Sequence, residues 1–389
     1  MPSPDAQQAS VTLQTRIQAH IQAAGGWIGF DQFMAAALYE TGLGYYAGGS
    51  QKFGAAGDFV TAPELSPLFA RCLAQQIGQW LGQGLPHVLE AGAGSGALAA
   101  ELLLALERAQ QLPQTYFILE VSGELRARQH ATLHERAPHL LPRVQWLNDL
   151  PSAFEGVVIG NELLDAMPAH LVHWHASGKI FERGVCCADE GRFAWAEQPA
   201  QGRVLQAAQA LAAERALPAD LLSEINLAAA AWIAEWATRL QRGALLLIDY
   251  GYPRSEYYLP QRNRGTLLCH YRHHTHDDPF WFPGLNDITA HVDFTAMADT
   301  AFANGLDVLG YTSQASFLMN CGVLSQLEQL AEVLGVQDQQ GAAWLRLTTQ
   351  LNRLTSPNEM GELFKVLALG REVSETPIGF VRGDRTHVL

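Results

Sequence analysis

Cationic side chains are scarce in this sequence. Its 389 residues hold 25 Lys and Arg against 39 Asp and Glu, a formal charge of -14. An acidic surface repels phosphate backbones and anionic lipid, so binding either requires a local basic patch. None is present, because the densest basic stretch, 254–276, is interleaved with Tyr, Glu and Asp. Nucleic acid is therefore excluded as a main partner. Cysteine is sparse as well. Cys72, Cys186, Cys187, Cys269 and Cys321 form no CxxC pair and are odd in number. That excludes a disulfide framework and points to reduced thiols in a bacterial-type cytoplasm. No apolar run reaches the ~18 residues that a bilayer-spanning helix needs, so no membrane insertion is expected. The N-terminus "MPSPDAQQASVTLQTRIQAH" has one Arg and no apolar core, unlike a secretory signal or a transit peptide. Repeats of fixed period are lacking, which excludes a solenoid. A G-x-S-x-G elbow is lacking too, which disfavours a Ser-His-Asp hydrolase.

What is present is apolar and alternating. Hydrophobic residues make up 48% of the chain, enough for a large α/β domain with an accessory part. Residues 11–82 read as mainly helical, interrupted by a Gly-rich segment at 41–64 that is long and aromatic enough to be a lid or binding loop. From Pro86 strand and helix alternate. "HVLEAG", "TYFILEVS", "RVQWLN" and "GVVIGNE" are the strands, the first two each followed by a helix. This is the pattern of an α/β fold with a doubly wound parallel sheet. Short alternating runs over 170–198 suggest an antiparallel insertion, and helical stretches are expected from there to Arg239. "GALLLIDYG" restores a buried strand, Ala244 to Tyr250, before a His- and aromatic-rich loop that runs to 292. The tail reads as helical, with strands at 306–311 and 363–369. These boundaries divide the chain into a helical N-terminal region (1–82), a Rossmann-like core (83–311, with the insertion at about 170–240 and the His-rich loop at about 252–292) and a helical C-terminal region (312–389) whose late strand packs on the core.

Polar groups sit where the strands end. Glu90-Ala-Gly92-Ala-Gly94-Ser-Gly96 closes the first strand and opens a helix, giving tight turns and free backbone N–H groups. A plain turn, a dinucleotide loop and an S-adenosylmethionine loop all fit this pattern. Glu90 favours the last, because a carboxylate repels a pyrophosphate and attracts an ammonium or sulfonium. Glu120 ends the second strand, placed to accept ribose hydroxyls. Asn148 and Asp149 follow the third strand and could bond an adenine amino group. Asn161, Glu162 and Asp165 follow the fourth, "GVVIGNELLDAMPAH", where an amide could orient a nitrogen nucleophile and two carboxylates could clamp a guanidinium. Asp165 capping a short helix is the bland alternative. "GDFVTAPELSPLF" puts Asp58, Thr61 and Glu64 over the donor pocket or makes an ordinary helix start. "PGLNDITAHVDF" places Asp287, His291 and Asp293 near the sheet's end as candidate substrate-binding groups, His291 with acid/base potential. The cluster His270, His273, His274 and His276 has no metal-ligand spacing, so no metal is expected.

These segments resemble one family. "GDFVTAPELSPLF", "VLEAGAGSGAL", "FILEVSGELRARQ", "VVIGNELLDAMPAH", "LLLIDYGYP", "GTLLCHYRHHTHDDPF" and "PGLNDITAHVDFTAMA" occur in the order seen in the mitochondrial complex I assembly factor with protein arginine methyltransferase activity and its bacterial MidA-like relatives. The resemblance spans roughly residues 10–370, with Ala at 91 and 93 where relatives often carry Gly or Pro. It implies a class I methyltransferase fold, Rossmann-like, with a helical N-terminal part and α/β insertions, and S-adenosylmethionine as cofactor. It further implies donor-loop roles for Gly92, Gly94 and Gly96, a ribose-binding Glu120, an acceptor end at Asn161, Glu162 and Asp165, and a family motif near the donor at Asp58, Thr61, Pro63 and Glu64. With Glu90 and Asp149 added from the residue reading, the expected function is protein arginine N-methylation on a protein substrate, a respiratory-complex subunit being one candidate; an oligomer is compatible. A small-molecule N- or O-methyltransferase and a non-catalytic assembly chaperone remain open beside it.

Overall fold

A computed structural model describes residues 2–48, 61–338 and 340–389, with the side chain of Glu190 left aside. Seven strands form the central sheet: β1 (His87–Ala91), β2 (Thr115–Leu119), β3 (Val144–Leu147), β4 (Phe154–Asn161), β5 (Leu240–Tyr252), β6 (Asp307–Ser313) and β7 (Phe364–Arg371). Their order is β6-β7-β5-β4-β1-β2-β3, and a two-residue strand, Val292–Asp293, joins the end of β5. From β5 to β3 every pairing is parallel, whereas β7 runs antiparallel to both β5 and β6. The apolar runs of β4 and β5 are continuous because a parallel sheet is covered on both faces. Val157 and Ile159 pack with Ala244, Leu246 and Ile248 on one face; Val158, Leu245 and Leu247 pack on the other. Helices Pro67–Gly82, Ala97–Arg108 and Val323–Val333 cover the first face, and Leu227–Arg239 and Phe294–Ala303 the second. The direction of the parallel strands brings the ends of β1, β2, β4 and β5 to one edge, where ligands bind in open α/β sheets.

Two smaller antiparallel sheets flank this edge. One runs Trp27–Gly29, Ile180–Cys187, His170–Trp174, Leu221–Ile225, with Phe193–Pro199 on the far side of Ile180–Cys187. The other joins His274–His276, Leu268–Tyr271 and Asp287–Thr289. Three sequence expectations are corrected here. Leu221–Ile225 is a strand within a stretch read as helical, because its buried Leu221 and Ser223 line up against His170–Trp174. The His-rich segment contains a hairpin rather than continuous loop. The first helix starts at Pro4, seven residues early, because Ser3 caps it by accepting the Ala6 N–H. All five cysteines are free thiols. Among the described residues no helix is long and apolar enough to cross a membrane.

Candidate active site

A cavity of about 600 Å³ opens at the strand ends. Its donor side starts from the glycine loop between β1 and helix Ala97–Arg108. Gly92, Gly94 and Gly96 have φ of 71°, 52° and 83°, in the left-handed region where a side chain costs strain. A Cβ on Gly96 would also lie 3.0 Å from the Cα of Gln129. Gly92 and Gly94 line the cavity; Gly96 closes the turn behind them. Glu90 is buried beneath the loop and accepts the Tyr116 hydroxyl at 2.6 Å; burial pushes its carboxyl up to about 7. Glu120 reaches in from the end of β2. Burial raises its pKa, while the Ser122 N–H at 2.9 Å and the Gln129 amide at 3.1 Å hold its two oxygens. Thr61 and Glu64 border the same cavity, and the Ser95 hydroxyl of the glycine loop donates to Glu64.

The acceptor side begins where β4 stops. Glu162 has φ of 49°, an unusual left-handed conformation for a non-glycine residue, and its N–H bonds the Ile248 carbonyl of β5 at 2.9 Å. Its carboxyl receives the Asn161 amide at 3.1 Å. Burial and the neighbouring Asp165 drive the Glu162 carboxyl up to about 8. Burial likewise raises Asp165, against a hydrogen bond from Tyr250. Beneath the turn, Asp249 Oδ2 accepts three consecutive backbone N–H groups, from Leu163 (3.2 Å), Leu164 (2.9 Å) and Asp165 (3.3 Å). Burial, then Asp165 and Glu162, raise Asp249 well above the carboxylate range. Across the cavity the Tyr46 hydroxyl donates to buried Asp287 at 2.9 Å, and Tyr39, stacked on Tyr46, donates to the Ala166 carbonyl. Seven carboxyl groups line the cavity and, among its described residues, no Lys, Arg or His does. Asn161 Oδ1 and Asp165 Oδ1 are buried acceptors without a donor among the described residues. Such atoms are costly to bury unpaired, so this end suits a ligand rich in N–H groups.

Other candidates lie elsewhere. Asp149 is exposed, two residues beyond the end of edge strand β3, and does not line the cavity. His291 stacks on Tyr252 at 5.3 Å, and burial lowers its pKa to about 4. Asp293 caps helix Phe294–Ala303 by accepting the Ala296 N–H at 3.0 Å, and faces Arg254. Both border a second cavity, of about 310 Å³, rather than the first. Asp58 lies outside the described residues. Sequence reasoning missed Asp249, Tyr39, Tyr46 and Gln129. Asp249 had a signal, a carboxylate closing the apolar run "GALLLIDYG"; the tyrosines are separated by more than 100 residues from the groups they touch. Among the described residues, one group has metal-ligating geometry. Asp31 and Glu182 stand 3.4 and 2.7 Å from His170 Nδ1, the shorter contact being a hydrogen bond.

Residues 68–312 match the family described as "Putative S-adenosyl-L-methionine-dependent methyltransferase". The chain belongs to this family. Its members' cofactor, S-adenosylmethionine, fits the site: the left-handed glycines leave backbone exposed at a helix start, and Glu120 offers a fixed carboxylate beside it. A crystal structure of a Burkholderia thailandensis protein bound to S-adenosyl-homocysteine superposes with a TM-score of 0.94, at 46% identity over 100% of this chain and 99% of that one. A protein arginine methyltransferase NDUFAF7 homolog, mitochondrial, from Drosophila melanogaster is 28% identical over 94% of this chain and 86% of its own length. The Mus musculus protein arginine methyltransferase NDUFAF7, mitochondrial, is 27% identical over the same shares. This methyltransferase therefore shares its fold and donor chemistry with that family.

Proposed function

We propose that this enzyme methylates an arginine guanidinium on a protein substrate. The observation that carries the reading is the acceptor side: carboxyl-rich and, among the described residues, free of cationic groups and holding two buried acceptors with no donor. A guanidinium brings five N–H donors and a delocalised charge to that place. The names of the fly and mouse relatives support the same acceptor and a protein as its carrier. A respiratory-complex subunit is the first candidate to assay. The free thiols support a reducing, cytoplasmic compartment.

The donor side is held by backbone N–H groups of the glycine loop at its amino-acid end, with Glu90 beneath, and by Glu120 at its ribose. Bound there, S-adenosylmethionine supplies an electrophilic methyl group on a sulfonium. Glu162 and Asp165 fix the guanidinium so that one nitrogen faces that methyl group, and Asn161 Oδ1 accepts a further N–H. The S–CH3 bond breaks as the N–CH3 bond forms. The nitrogen then loses a proton to a carboxylate of the pair, whose raised pKa suits it to take one near neutrality. Asp165 is buried, and a low-dielectric surrounding strengthens its ion pair with the guanidinium.

The test is transfer of labelled methyl groups from S-adenosylmethionine into a cell lysate, with the modified residue located by mass spectrometry. Label on arginine is expected. Label confined to lysine or to small molecules would overturn the arginine reading while leaving the methyltransferase family intact.

A further inference from the structure

One buried side chain ties together all three strand ends on the donor side. Gln129, on helix Gly123–Arg136, is fully buried and does not line the cavity. Its Nε2 donates to Glu120 Oε2 at 3.1 Å and to the Gly94 carbonyl at 3.2 Å. Its Oε1 accepts the indole N–H of Trp146, on β3, at 2.9 Å. Both amide hydrogens and the carbonyl are therefore engaged. The close approach of Gly96 to the Gln129 backbone leaves this helix little freedom to shift.

We propose that Gln129 is the positioning residue of the donor site. It sets the distance between the glycine loop and the Glu120 carboxylate, so that the two ends of the donor are gripped at a fixed separation. The proposal rests on Glu120 as the ribose-binding carboxylate. A neutral amide suits the task chemically. It orients one oxygen of Glu120 with a single hydrogen bond and leaves the remaining lone pairs for a diol. A Lys or Arg there would form an ion pair with Glu120 and compete with the ligand; a Glu would repel it.

The role gives Trp146 a reporting function, because its indole N–H shares the amide that Glu120 shares. In the unmodified protein, adenosine is expected to shift the Trp146 indole 1H–15N resonance, assigned with Trp146→Phe. Gln129→Met is expected to weaken S-adenosylhomocysteine binding at least tenfold by calorimetry and to abolish that shift, with the KM for acceptor changed less than twofold. Gln129→Glu, which keeps the Trp146 acceptor, is expected to weaken binding likewise and serves if the Met variant does not fold. Wild-type affinity in a folded Gln129 variant, or an unmoved Trp146 resonance at saturating adenosine, would overturn the proposal. Glu120→Gln separates the two readings. If it binds the donor as the wild type does, the ribose assignment falls; if it binds weakly while Gln129→Met binds normally, only the positioning role falls.

Discussion

At the scale of single residues, Glu162 carries the most consequence. Its φ of 49° aims the carboxyl into a space that holds other acids and, among the described residues, no cation, and burial with Asp165 nearby keeps the proton on it to about pH 8. A carboxyl whose folded pKa exceeds its unfolded value binds more protons when folded. Its stabilising effect is whole below the unfolded pKa of about 4.3 and is lost as pH rises through the folded pKa. The ligand-free enzyme is thus expected to lose stability between about pH 5 and 8, by an amount of order 1 kcal/mol or more. Glu162→Gln, permanently neutral, removes that slope; its melting temperature should exceed the wild type's at pH 8.5 and match it near pH 5. A variant that melts with the wild-type pH dependence contradicts the assignment. The same substitution should leave the affinity for S-adenosylhomocysteine within twofold and lower methyl transfer roughly a hundredfold, in line with a positioned acid/base group. Transfer at the wild-type rate would remove Glu162 from the mechanism.

At the scale of elements, the site is a set of strand ends braced by side chains from neighbouring elements. The turn after β4 is held by Asp249 from β5, through three N–H groups on one oxygen. Asp249→Leu leaves those groups unpaired and should cost roughly 1–3 kcal/mol in stability. It should also raise the acceptor KM at least tenfold, against a donor affinity changed less than threefold. A variant that loses donor and acceptor affinity equally would show that the brace serves the whole edge. Much of this was legible. Apolar runs closed by Glu90, Glu120 and Asn161-Glu162 announce parallel strands delivering polar groups, and all four side chains do line one cavity. The same logic does not bring Asp149 to the cavity lining, since it follows edge strand β3 and is exposed. It also misplaces Asp293, whose carboxylate caps a helix instead. Tyr39 and Tyr46 were hidden because nothing local links residues near 40 to Ala166 or Asp287. The strand Leu221–Ile225 was hidden for a similar reason, since only pairing with His170–Trp174 distinguishes it from helix.

At the scale of the molecule, β7 inserts between β6 and β5 from the far end of the chain, so the C-terminal residues complete the core that the site stands on. Donor binding should stabilise the whole chain. S-adenosylhomocysteine at a hundred times its Kd adds about 2.7 kcal/mol, visible as a rise of several degrees in melting temperature; an unchanged melting temperature at saturation contradicts donor binding. The central claim is that the carboxyl-lined end of the cavity takes an arginine guanidinium. The most direct measurement is calorimetry on the enzyme saturated with S-adenosylhomocysteine, comparing a short arginine peptide with its citrulline counterpart, which is isosteric but uncharged. Run at pH 7 in two buffers of different ionisation heat, the arginine peptide should bind and release close to one proton as Glu162 ionises, and the citrulline peptide should bind at least a hundredfold more weakly. Equal affinity for the two peptides would contradict the claim.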